Sequence, residues 1–98
     1  MAVIVVARWK GDLQEAMPRV KEVGAFLKAR GAISVYAGTC HTGQHAGQVF
    51  TTVAFPDWET FGTAHHAMTT DQAVRSAYAQ VLQLLEVQER SIVVMEKL

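Results

Sequence analysis

The chain has 98 residues, 50% of them apolar and 18% charged, and its nine basic and nine acidic side chains cancel to a formal net charge of zero. That length makes one domain (1–98) able to build its own core, and the charge balance leaves no basic stripe of the kind a nucleic-acid binder needs to neutralise phosphates. No basic amphipathic segment addresses a membrane surface, no apolar run reaches spanning length, and the single cysteine, Cys40, fits a reducing, cytoplasmic setting.

The opening MAVIVVARWK carries a β-branched run from Val3 to Ala7, which predicts a first strand buried on both faces rather than a leader segment. Gly11 and Asp12 break it, and Asp12 with Glu15 three residues on makes a capping-box pattern. Leu13, Ala16, Met17, Val20, Val23, Gly24 and Leu27 then recur at helical spacing, with Lys28 and Arg30 in the last turn and Gly31 as the stop. Pro18 falls inside this stripe, so the helix either begins near Ala16 or is kinked in its first turns. A second strand is expected from Ala32 to about Cys40 and a third from Gln48 to Phe55. Between them lies AGTCHTGQHAG (37–47), read as a hairpin connection in which Gly38, Gly43 and Gly47 permit positive φ values. Pro56 ends the third strand and Asp57 caps a helical piece over residues 58–68. TTDQ recaps a second piece from about Asp71 to Leu85, with Val74, Ala77, Tyr78, Val81 and Leu85 on one face, and RSIVVMEKL forms a last strand.

The order β-α-β-β-α-β, with the second helix broken in two near Met68 to Thr70, specifies an α+β ferredoxin-like sandwich: a four-stranded antiparallel sheet with its helices on one face. The first strand places Val3, Val5, Ala7 and Trp9 on one side and Ile4 and Val6 on the other. The third sets Val49, Val53 and Phe55 against Phe50 and Ala54. Both faces are therefore apolar, and the one without helices needs a cover. A second copy of the sheet supplies it through a self-complementary two-fold interface, so a homodimer is expected.

At this level the chain resembles the dimeric α/β-barrel superfamily, in particular its antibiotic-biosynthesis-monooxygenase-like branch. The resemblance extends over nearly the whole chain in size and element order. It is most specific in VAFPDWETFGTAHHAM, where a strand ends in Phe55 and a short helix follows with Phe61 and the pair Ala64, His65. It implies a site between sheet and helices for a small apolar or aromatic molecule, cofactor-independent oxygenation as an activity, and no cofactor. A dimeric binding or stress-response module using the same cavity is the alternative. Haem-degrading members use an asparagine on the first strand with a tryptophan and a histidine. This chain has no asparagine, and Arg8 and Trp9 stand at the corresponding end.

Among individual residues, Trp58, Phe61, His65 and Met68 fall at i, i+3, i+7 and i+10, which sets His65 on the apolar stripe of its helix and turns His66 about 100° away. His65 is the candidate acid/base. Trp9, Tyr36, Trp58 and Tyr78, with Phe61 and Met68, are the candidate pocket walls, and Arg8 a candidate partner for a carboxylate or enolate or, equally, for an ion pair. Cys40, His41 and His45 offer thiolate and imidazole, but strand alternation would send Cys40 and His41 to opposite faces. The segment has neither CxxC spacing nor a helical HxxxH, so no metal site is assigned.

Overall fold

The computed structural model describes all of residues 1–98. The elements are β1 (Ala2–Gly11), α1 (Leu13–Ala29), β2 (Ser34–Thr39), β3 (Val49–Phe55), α2 (Trp58–Thr70), α3 (Gln72–Leu84) and β4 (Leu85–Met95). The sheet runs β2-β3-β1-β4 with every neighbouring pair antiparallel, which is the expected ferredoxin-like order.

Three aspartates start the three helices. Asp12 accepts from the backbone N–H groups of Gln14 and Glu15, Asp57 from that of Thr60, and Asp71 from those of Ala73 and Val74. The helix α1 begins at Leu13, not near Ala16, and runs through Pro18. Its first turn is held by the Asp12 side chain, so loss of one N–H at the proline does not delay the start. Asp71 both ends α2 and caps α3, which is the predicted break.

β4 departs most from expectation, because it starts at Leu85 rather than at Arg90. β1 is long enough to pair Gly11 with Leu85 and Lys10 with Glu86, so the chain passes from helix to strand without a loop. A register shift between Arg8 and Trp9 lets Trp9 face Val87 while Arg8 faces Glu89, leaving Gln88 as the extra residue of a bulge. β2 is shorter than expected, and residues 40–48 form the connection to β3. There Gly43 and Gly47 take φ values of +97° and +86°, whereas Gly38 sits in the strand without positive φ.

Cross-strand pairing sorts the side chains. Val3, Val5, Ala7 and Trp9 share the helix-bearing face with Val49, Thr51, Val53 and Phe55, and Ile4, Val6 and Arg8 share the other with Phe50, Thr52 and Ala54. The buried core forms two groups, one around Ala7, Trp9, Ala16, Val49, Val81 and Leu85 and one around Val3, Leu27, Phe55 and Ala64. Val23 of α1 packs against both. The opposite face of the sheet has no helix on it. The β1 strand is thus buried on one side and only half-buried on the other.

Candidate functional site

The gap between the two core groups is a cavity of about 140 Å³. Nineteen residues line it and 15 are hydrophobic, so it is an apolar chamber with few polar groups. Its floor is the sheet at Val5, Ala7 and Val53, and its roof comes from Val23 of α1, Phe61 of α2 and Val81 of α3.

Of the candidates read from sequence, Trp9, Phe61, His65, Met68 and Tyr78 come together on this wall. Trp9 is buried, and its indole Nε1–H donates to Thr51 Oγ1 at 3.0 Å, which fixes the ring over the end of the chamber. His65 stacks on Phe61 with ring centroids 5.8 Å apart and planes 21° from parallel. Phe61 in turn meets Phe55 and Trp58 edge-on, at 5.5 and 5.9 Å. The imidazole is thus oriented by an aromatic ladder rather than by a hydrogen bond, and it sits where the chamber meets solvent.

The remaining candidates stand elsewhere. Arg8 points to the helix-free face, where it donates to Gln48 Oε1 at 2.7 Å and approaches Glu89 at 3.8 Å. It makes an ion pair on that face, one of the two roles its position allowed. Tyr36 borders the chamber, but its register opposite Thr52 sends its ring to the helix-free face, and it is 70% exposed. Trp58, at the first turn of α2, is 48% exposed and reaches the site only through Phe61. Cys40 and His41 lie beyond the end of β2, so strand alternation does not govern them, and Cys40 Sγ donates to the Thr42 carbonyl at 3.1 Å. No group of three or more His, Cys, Asp or Glu side chains is placed to hold a metal ion.

Sequence reasoning missed Thr51 and Arg90, the further polar residues of the wall. Arg90 pairs with Ala7 and therefore stands on the helix-bearing side of the sheet, exposed on the edge strand β4. The signal was its parity with Ile92 and Val94. It was hidden because SIVVM is apolar at consecutive positions and shows no alternation.

No family model matches the chain, and no curated protein matches it. Solved structures do. SnoaB, a cofactor-independent oxygenase from Streptomyces nogalater, superposes in a single-residue variant form with a TM-score of 0.76 at 13% identity, covering 99% of this chain and 95% of that one. A protein from Chloroflexus aurantiacus, provisionally described as an antibiotic biosynthesis monooxygenase, gives 0.72 at 13% identity, with 99% and 95% covered. A NIPSNAP family protein from Agrobacterium tumefaciens gives 0.71 at 16% identity, with 96% and 92% covered. The chain has the ferredoxin-like fold that these proteins share.

Proposed function

We propose that this protein is a small monooxygenase-like enzyme that works without a cofactor, holds a flat apolar molecule in the chamber and uses His65 as its acid/base. The observation that carries this reading is the pre-formed apolar chamber with an imidazole stacked into its wall. In such chemistry a base removes a proton from carbon activated by a neighbouring carbonyl, and dioxygen oxidises the resulting enolate. A CH₂ group and O₂ then yield a carbonyl and one water. The chamber would exclude bulk water and hold the ring plane against Trp9 and Phe61, while His65 would take the proton and give it back to the peroxide oxygen that leaves as water. The similarity to an oxygenase that needs no cofactor supports the reading at the level of fold.

A binding module using the same chamber is the second reading. It is favoured by one observation: no hydrogen-bond acceptor orients the His65 ring, as a general base often requires. A panel of aromatic ketones and phenols, incubated under air and followed by oxygen uptake and chromatography, separates the two. Turnover that falls at least about 100-fold in His65→Ala while binding is retained supports the enzyme. Equal binding by both forms with no oxygen consumed supports the module.

In both readings two copies pair through the helix-free sheet faces. Ile4, Val6, Phe50 and Ala54 line that face, and Val93 and Met95 of β4 are 40% and 50% exposed on it. A contiguous apolar sheet face of this kind marks an interaction surface. No helix of the chain is long and apolar enough to cross a membrane.

A further inference from the structure

The polar groups of the chamber fall in one row. Cross-strand register aligns Ala37, Thr51, Ala7 and Arg90 across β2, β3, β1 and β4, all on the helix-bearing side of the sheet. Ala7 is the low point of this floor, between larger Val5 and Trp9 along its own strand. Thr51 and Arg90 flank it at two strand spacings, so their Cα atoms are about 10 Å apart.

Both flanking groups are hydrogen-bond donors without an acceptor in the chain. Thr51 Oγ1 accepts from Trp9 and leaves its own O–H free to donate. Arg90 takes part in none of the three ion pairs of the molecule. The carboxylates of its own strand are turned away: Glu86 and Glu89 pair in register with Lys10 and Arg8, on the helix-free side. Arg90 is exposed on the edge strand β4 where the chamber opens, and with no anion supplied by the protein it is placed to meet an anion that the ligand presents at that opening.

Resting on the chamber as the binding site, we infer that its ligand is a flat apolar molecule bearing an anionic oxygen group, a carboxylate or an ionised enol. The ring system lies on Ala7, the anionic oxygens meet the Arg90 guanidinium, and an acceptor at the far end receives the Thr51 hydroxyl. Arg90 is the specificity-determining residue of the chamber.

The test uses 1-naphthoate and its neutral counterpart 1-naphthamide, titrated calorimetrically into the full-length protein. The expected result is binding of naphthoate about tenfold tighter than of naphthamide. In Arg90→Gln the advantage disappears through weaker naphthoate binding alone, and Arg90→Lys keeps part of it. Ala7→Leu, which raises the floor, weakens both compounds; circular dichroism checks that this variant folds, and Ala7→Val gives a milder loss of both if it does not. Equal affinity of the two compounds for the unmodified protein, or an equal loss of both in Arg90→Gln, overturns the anion assignment while leaving the chamber intact as a binding site. Absence of binding by either compound overturns both.

Discussion

Gly11 leaves the sheet at a φ of +138°, and a Cβ there would stand 2.4 Å from the Leu84 carbonyl oxygen and 2.8 Å from the Leu85 side chain. The first is backbone and the second a fully packed core residue, so neither can retreat. Gly11→Ala should destabilise the protein by about 1–3 kcal/mol from backbone strain alone, with the overlap adding to it, measurable as a lowered urea midpoint at unchanged slope. Trp9→Phe should cost less, about 0.5–1.5 kcal/mol for the lost bond to Thr51. Residues of this kind show how far sequence can be read one side chain at a time. Helical spacing put Phe61, His65 and Met68 on one wall, because the period of a helix is fixed by its geometry. Arg8 and Tyr36 were legible as neighbours of the site in sequence. Their side chains lie on the other face because a strand alternates at every step, and only the register with β3 decides which step faces the helices.

Helices α1 and α3 each bury three residues, whereas α2 buries only Ala64. Its position depends on its ends. Thr60 packs against Gly31, where a Cβ would come within 2.5 Å of its methyl group, and Asp71 at the other end lies 3.9 Å from Arg30. The latter pair is half-exposed and contributes at most about 1 kcal/mol. Amides of α2 should therefore exchange with solvent faster than those of α1 and α3, and a ligand in the chamber should slow them. Hydrogen bonds from the Thr60 backbone and side chain hold the Asp57 carboxyl below the usual aspartate range. A lowered carboxyl contributes stability at pH values above that range and loses it as the pH falls through the lowered value. Protection of α2, corrected for intrinsic rates, should therefore drop in acid, and Asp57→Asn should flatten that dependence. At this scale the sequence was most transparent at its caps, since each aspartate signals locally through its own side chain. It was least transparent at the start of β4, which is set by the length of its partner strand rather than by any residue in it.

The whole molecule measures 38 × 33 × 17 Å, and 13 of its 98 residues are buried. Composition anticipated this shortage of interior: half the chain is apolar, and one sheet with one helical layer cannot enclose so much. The same reasoning led to a second copy, whose identity no local pattern states. Val6→Lys, placing a charge at the centre of the helix-free face, should yield a folded monomer by sedimentation velocity, whereas the unmodified protein should sediment as the proposed dimer. The 17 Å thickness has a further consequence. In the proposed dimer, part of the slab's stability would come from meeting its twin, and that part would depend on how much protein is present. Mass action should add about 1.4 kcal/mol to the dimer for each tenfold rise in concentration, and the melting temperature should climb accordingly. In a dilute cell the same chain would unfold sooner than in a crowded expression host, so abundance itself would regulate how much working protein there is.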